Sequence, residues 1–126
     1  MLDYVTVGTN DLKRAGEFYD AVLGVLGGSR SYEGERLIMW SGPAGAASLA
    51  VITPFDKNAA APGNGTMIAL AGGDPETVQA VHAKALEMGA ADEGTPGPRG
   101  TRDFYGGYFR DPDGNKLVAY CRQAVT

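Results

Sequence analysis

Residues 104–121 read FYGGYFRDPDGNKLVAYC, and this stretch decides the fold. Its centre, DPDGN at residues 111–115, consists of turn formers. Proline presets its own φ, glycine accepts a positive φ, and Asp and Asn side chains bond the neighbouring backbone. Strand-forming aromatic and β-branched residues alternate on both sides of this turn. The stretch therefore predicts a β-hairpin that closes a sheet.

Working outward from the hairpin, a first module is predicted at about residues 1–53. It begins with a strand at 2–9 and a helix that starts near Leu12, is capped by Asn10 or Asp11, and ends at Gly24. Three strands follow at 29–32, 36–41 and 47–53, and the last is apolar at nearly every position, which indicates burial on both faces. The helix is expected to bury one stripe: Leu12, Ala15, Phe18, Tyr19, Val22 and Leu23.

A second module is predicted at about residues 66–126, after a linker at 54–65 that is rich in Ala, Pro, Gly and Asn. It begins with a strand at 66–71, and Asp74-Pro75 then caps a helix that runs to about Met88. A short strand at 90–93, a loop at 95–102 and the hairpin complete it. The buried stripe of this helix is expected to contain Val78, Val81, Ala85 and Leu86.

The two modules are an internal repeat. The capping residues Asp11 and Asp74 lie 63 positions apart, and both modules follow the order βαβββ. Neither module alone can bury both faces of its sheet, so the two are expected to pack together. The chain is predicted to be one α+β domain, residues 1–126, made of two tandem βαβββ modules.

Composition excludes several classes of function. A formal net charge of −4 argues against nucleic-acid binding and is compatible with a cationic ligand. No apolar run approaches the roughly 20 residues of a membrane span, and the N-terminus has no signal pattern, so a cytoplasmic protein is expected. With one cysteine, Cys121, no intramolecular disulfide can form, and the single histidine, His82, has no partner at metal-binding spacing.

The hairpin resembles the final hairpin of the vicinal oxygen chelate superfamily, which includes glyoxalase I, extradiol dioxygenases and bleomycin-resistance proteins. Further similarity lies in Asn10-Asp11-Leu12, Phe18-Tyr19 and Leu23-Gly24, which are similar to the family's first strand-to-helix segment. The resemblance implies two βαβββ modules whose curved mixed sheet surrounds a cavity, with the helices outside. It also implies a homodimer, as in many family members.

Metal-dependent members of this family take ligands from a His in the first strand, a His in the strand that opens the second module, and a Glu in the last strand. The matching positions here are Tyr4, Met67 and Val118. A protonated phenol is a poor ligand, a thioether suits only soft metals, and an isopropyl group cannot ligate. We therefore expect no metal and no other cofactor.

Strand alternation predicts which side chains share the family's cavity face. Tyr4 falls with Thr6, Met67 with Ala69, and Val118 with Tyr120. Three further residues near or on the hairpin are expected at the cavity mouth: Arg102, Tyr105 and Tyr108. These side chains either line an apolar, phenolic pocket or fill the space that a metal would occupy, and the sequence leaves both open.

The predicted function is binding of a small organic molecule by a glyoxalase-like or bleomycin-resistance-like protein that lacks the usual ligands. The alternative is a metal-dependent lyase or dioxygenase of the glyoxalase type, which the lost ligands disfavour. A third possibility is an interaction domain with a collapsed pocket. The expected partners are a small organic molecule and a second copy of the chain, with no nucleic acid and no membrane.

Overall fold

The computed structural model describes residues 1–43, 45–100 and 103–122. Eight strands and two helices are observed, in an order that repeats βαβββ twice. The first module contains β1 (Tyr4–Gly8), α1 (Leu12–Gly24), β2 (Ser29–Glu33), β3 (Leu37–Ser41) and β4 (Ser48–Ile52). The second contains β5 (Ile68–Ala71), α2 (Pro75–Glu87), β6 (Ala91–Arg99), β7 (Phe104–Arg110) and β8 (Lys116–Arg122).

Each module forms its own four-stranded mixed sheet. The strand orders are β1-β4-β3-β2 and β5-β8-β7-β6, and in each sheet the first strand of the module runs parallel to its last strand. The register places Thr6 opposite Ala50 in the first sheet and Ala69 opposite Val118 in the second. The predicted α+β class with two tandem βαβββ modules is confirmed, and both sheets are open.

The helices begin where their capping residues predict. The carboxylate of Asp11 accepts a hydrogen bond from the backbone N–H of Arg14 at 3.0 Å, and that of Asp74 accepts one from Thr77 at 2.7 Å. These bonds satisfy backbone donors that the first helical turn leaves unpaired. None of the helices in the described part of the chain is long and apolar enough to cross a membrane.

Both helices pack into one continuous hydrophobic core. Each helix covers one face of its own sheet, and the two helices also contact each other. Strand β4 is buried on both faces, as predicted, at Leu49, Ala50 and Val51. The largest fully buried side chains of the core are Trp40, Tyr19, Phe18, Phe109 and Leu117.

Two local predictions were wrong. Residues 95–99, predicted as part of a loop, belong to β6, which pairs with β7 and carries two register shifts. Because β6 is the edge strand of its sheet, Pro96 and Pro98 remove no hydrogen bond from an inner ladder. Leu86, predicted in the buried stripe of α2, is 37% exposed because it falls on the outer side of that helix.

The DPDGN turn between β7 and β8 joins the second module to the first. Asp111, only 5% exposed, accepts a hydrogen bond from the hydroxyl of the fully buried Tyr19 at 2.6 Å. Its carboxylate also accepts from the backbone N–H groups of Asp113 and Asn115. The side chain of Asn115 donates to the carbonyl of Gly8 at 2.9 Å. We call this set of contacts, together with those of Asp113, the inter-module clasp.

Asp113 completes the clasp at the start of α1. It accepts hydrogen bonds from the hydroxyl of Thr9 at 2.6 Å and from the backbone N–H of Asn10 at 2.9 Å. It also pairs with the guanidinium of Arg14 at 3.1 Å. The turn that the sequence predicts therefore has a second role, because its polar side chains orient one module against the other.

Candidate functional site

The residues predicted to line a cavity on the first sheet lie on its open face. Tyr4 is 48% exposed, and Thr6 is also exposed, while Val5 and Val7 on the same strand pack in the core. Thr6 lies above the buried Ala50 of the neighbouring strand. On its open face, β1 thus exposes the phenol of Tyr4 and the hydroxyl of Thr6.

The open face of the second sheet carries most of the other predicted residues. Ala69, Val118 and Tyr108 lie side by side on three adjacent strands. Val118 is only 1% exposed although it points away from the helix, because its neighbours cover it. Met67, just before β5, is 42% exposed, and Ala69 is exposed as well.

The two groups of predicted residues do not meet within one chain. In the described residues, the strands of the first sheet have no Cα atom within 8 Å of a strand of the second. Tyr4 and Thr6 therefore lie on one open face, and Met67, Ala69, Tyr108, Val118 and Tyr120 belong to the other.

Two further predicted residues have different outcomes. Tyr105 lies on the helix-facing side of β7, where it packs against the core and its hydroxyl accepts a hydrogen bond from Gln79 of α2 at 2.7 Å. Strand alternation explains this placement. Successive side chains point to opposite faces of a strand, and Tyr105 is an odd number of residues from Tyr108, so their side chains lie on opposite faces. Tyr105 thus lies on the opposite side of β7 from Tyr108, with its hydroxyl beside α2. Arg102 lies outside the described residues.

Cations that the sequence prediction missed surround the aromatic rings of the second open face. The guanidinium of Arg99 and the ammonium of Lys116 each lie 5.5 Å from the ring centre of Tyr108. The guanidinium of Arg122 lies 5.7 Å from the ring of Tyr120. Alternation along β8 could have predicted two of these cations. Alternate residues of a strand point to the same face, so Lys116 and Arg122 lie on the face that carries Val118 and Tyr120.

The aromatic rings themselves form an ordered surface. Phe104 and Tyr120 stack with centroids 5.3 Å apart and planes 5° from parallel. Gly106, between them on the sheet, has no side chain, and a Cβ there would lie 2.8 Å from the Phe104 ring. Glycine at this position therefore lets the Phe104 ring lie flat across the strand.

A cavity of about 600 Å³ opens beside this face, between β7–β8 and the segment that precedes β5. Its lining combines the apolar Pro62 and Met67 with the cations Arg110 and Lys116 and with the polar Asn64 and Thr66. A second cavity, of about 370 Å³, lies between the modules and is lined mainly by apolar residues, which include Leu23, Trp40, Leu49 and Leu70.

The residues at the family's three ligand positions do not fit a divalent metal ion. Tyr4, Met67 and Val118 offer a phenol, a thioether and an alkyl group, and Val118 lies on a different sheet from Tyr4. Among the described residues, no group of three or more His, Cys, Asp or Glu side chains could hold a metal ion.

The histidine and cysteine have structural surroundings. His82 lies at the boundary between α2 and its sheet, with Nε2 3.2 Å from both a carboxylate oxygen of Asp92 and the carbonyl of Tyr108. Cys121 is buried in the core, and this burial raises the pKa of its thiol, which disfavours the reactive thiolate. Both residues lie on the helix-facing side of the second sheet, away from its open face.

Comparison with known proteins agrees with this architecture. A crystal structure of a glyoxalase/bleomycin resistance protein from Albidiferax ferrireducens T118 is 37% identical, with a TM-score of 0.88, over 98% of this chain and 99% of that chain. A glyoxalase-related enzyme from Fulvimarina pelagi shares the fold at 18% identity, with a TM-score of 0.78, over 97% of this chain and 88% of that one. No curated protein that was compared gives a match.

The sequence profile of the Glyoxalase/Bleomycin resistance protein/Dioxygenase superfamily matches residues 1–119, which is nearly the whole chain. The match extends from β1 through the inter-module clasp and most of β8, so it includes both modules. Together with the repeated βαβββ order and the two open sheet faces, this shows that the chain belongs to the glyoxalase/bleomycin resistance protein/dioxygenase superfamily.

Proposed function

We propose that this protein binds a small organic molecule against the open faces of its sheets, without using a metal ion. The observation that carries the proposal is the chemistry at the three family ligand positions, where Tyr4, Met67 and Val118 replace oxygen and nitrogen donors. Partly exposed aromatic and apolar side chains beside a few polar groups are typical of sites that bind organic molecules.

We further propose that two copies of the chain complete the site. Each open face bears large apolar side chains that are poorly covered in the single chain, among them Tyr4, Tyr32 and Met67. Covering such surface with a second copy removes apolar area from water, which favours association. In a dimer that places the first sheet of one copy over the second sheet of the other, Tyr4 and Thr6 would face Met67 and Ala69.

Thermal unfolding in the presence of a library of small aromatic and heteroaromatic compounds tests the binding proposal. A compound that binds the folded state raises the melting temperature, and the increase grows with the compound's concentration. Exchanging Thr6 for a bulky Trp on the open face should abolish the increase, whereas Glu87→Gln on the exposed side of α2 should leave it unchanged. If no compound in the library raises the melting temperature, the proposal is contradicted.

The competing function is a metal-dependent lyase or dioxygenase of the glyoxalase type. The observation that favours it is the family membership itself, since the 37% identical relative is described as a glyoxalase/bleomycin resistance protein. Elemental analysis of protein purified without chelators separates the two. Ni, Zn, Mn or Fe bound at one ion per chain, and lost on substitution of open-face residues, would replace our proposal with this one.

A further inference from the structure

The basic residues of this chain fall into two classes. Among the described residues, five of them form salt bridges with carboxylates: Lys13, Arg14, Arg30, Lys84 and Arg110. Five others have no carboxylate within salt-bridge distance in the described part of the chain, and three of these five, Arg99, Lys116 and Arg122, contact the aromatic rings of the second open face. An acidic protein thus concentrates unneutralised positive charge on one face.

The aromatic rings hold these cations in place. Arg99 and Lys116 both lie over Tyr108, and Arg122 lies over the stacked pair formed by Phe104 and Tyr120. The negative face of an aromatic ring attracts a cation without neutralising its charge. The cations therefore keep their charge available to a ligand while their positions are restrained.

Two glycines contribute to this arrangement. A Cβ at Gly94 would lie 3.2 Å from the guanidinium of Arg99 and 3.4 Å from the Tyr108 ring, so a side chain there would crowd both. The backbone of Gly94 also has a φ of 151°, in the region that favours glycine. Gly106 similarly leaves room for Phe104.

We infer that this face binds a small organic anion with a planar apolar group, an inference that rests on the proposed function and specifies its ligand. The ligand occupies the cavity of about 600 Å³. Its negative charge pairs with Lys116, and its planar group contacts the thioether of Met67, since thioethers pack favourably against aromatic rings. Asn64 and Thr66 line the same cavity and can form hydrogen bonds with the anionic group.

The sign of the charge follows from the residues around the cavity. Arg110 also lines it, but a salt bridge to Glu93 and a hydrogen bond to the carbonyl of Gly114 already occupy its guanidinium. Lys116 is therefore the cation that supplies unneutralised charge at this cavity, with Arg99 beyond the Tyr108 ring. A cationic ligand would meet like charges here, in contrast to what the net charge of the whole chain suggests.

A matched ligand series measured by isothermal titration calorimetry tests the inference. Benzoate carries the anion and the planar ring, benzamide is its neutral counterpart, cyclohexanecarboxylate lacks the planar ring, phenyl phosphate changes the anionic group, and benzylammonium reverses the charge. We expect benzoate or phenyl phosphate to bind about tenfold more tightly than benzamide, because a charged hydrogen bond replaces a neutral one. Cyclohexanecarboxylate should bind more weakly than benzoate, and benzylammonium should not bind. Added salt should lower the affinity for the anionic ligands.

Lys116→Met is the decisive variant, since it keeps an unbranched side chain against Tyr108 and removes the charge. It should lower the affinity for the anions about tenfold and leave benzamide unaffected. Lys84→Met, which removes the same charge from the Lys84–Glu87 pair on α2, is the control and should bind like the wild type. Arg99→Gln should also lower the affinity for the anionic ligands, and it provides a second test if Lys116→Met unfolds.

The outcomes separate this inference from the proposed function. Equal affinity for benzoate and benzamide, or unchanged anion binding in both Lys116→Met and Arg99→Gln, would overturn the charge preference and leave small-molecule binding intact. If no member of the series binds but neutral compounds raise the melting temperature, the inference fails alone. If no compound of any charge binds, both proposals fail.

Discussion

The substitution Tyr19→Phe measures the strength of the inter-module clasp. It removes one hydroxyl, which donates a hydrogen bond to the carboxylate of Asp111 at 2.6 Å. It retains the ring, whose centroid lies 4.9 Å from that of Phe18 and 5.6 Å from that of Trp40. No cavity forms, so the cost is that of one hydrogen bond to a buried carboxylate, about 1.5–3 kcal/mol. Asp111 keeps its hydrogen bonds from Asn115, which prevents a larger loss.

Urea denaturation followed by circular dichroism should therefore give a lower free energy of unfolding with an unchanged m-value. Tyr32→Phe is the matched control, because Tyr32 is 56% exposed and its hydroxyl is not buried against a carboxylate as that of Tyr19 is. Its effect should stay within about 0.5 kcal/mol. A loss below about 0.5 kcal/mol for Tyr19→Phe would refute the view that this bond holds the modules together.

Alkaline titration gives an independent check on the same bond. Burial, and secondly the charge of Asp111, raise the pKa of Tyr19 well above its usual value of 10. Above about pH 10 the unfolded chain loses this proton before the folded chain does, so the free energy of unfolding falls as the pH rises. Tyr19→Phe lacks this proton, and the difference between the two proteins should shrink at high pH.

Two further predictions concern packing and acid stability. Gly107→Ala places a Cβ 2.8 Å from Pro96 and 3.1 Å from His82, and urea denaturation should show a loss of about 1–3 kcal/mol, whereas Gly24→Ala meets no atom within 4 Å and should be nearly neutral. The hydrogen bond from Arg30 lowers the pKa of Asp20 from 3.8, so its contribution is present above about pH 4 and is lost as the pH falls further. Because this pair is partly exposed, wild type and Asp20→Asn should differ by less than about 1 kcal/mol at neutral pH and converge in acid melting experiments.

Local sequence patterns predict most of this fold because the two modules rely on local signals. Asp11 and Asp74 mark the helix starts, and the DPDGN turn marks the last hairpin. The course of residues 95–99 could not be predicted in this way. Their prolines and glycines indicate a loop, yet pairing with β7 holds them as an edge strand. Because one side of an edge strand needs no hydrogen bonds, it tolerates prolines that strand composition rules read as breakers.

The candidate site was less predictable than the fold. Alternation correctly separates Tyr4 and Thr6 from the helix-facing valines, but it carries no information on whether two sheet faces meet. Arg99 reaches Tyr108 from another strand, across Gly94, and a strand pattern does not report such a contact. The contribution of Arg99 to the charge of the second open face thus emerges only from the pairing of β6 with β7.

The inter-module clasp also bears on how the protein matures during its synthesis. Asp111 follows Tyr19 by 92 positions, and Asn115 follows Gly8 by 107, so these partners leave the ribosome long after the first module does. Until Asp111 has been synthesised, the hydroxyl of Tyr19 lacks its hydrogen-bond acceptor. Burying the side chain at that stage would leave a polar group without a partner. The N-terminal half should consequently wait, loosely packed, for the final hairpin before it acquires its mature interior.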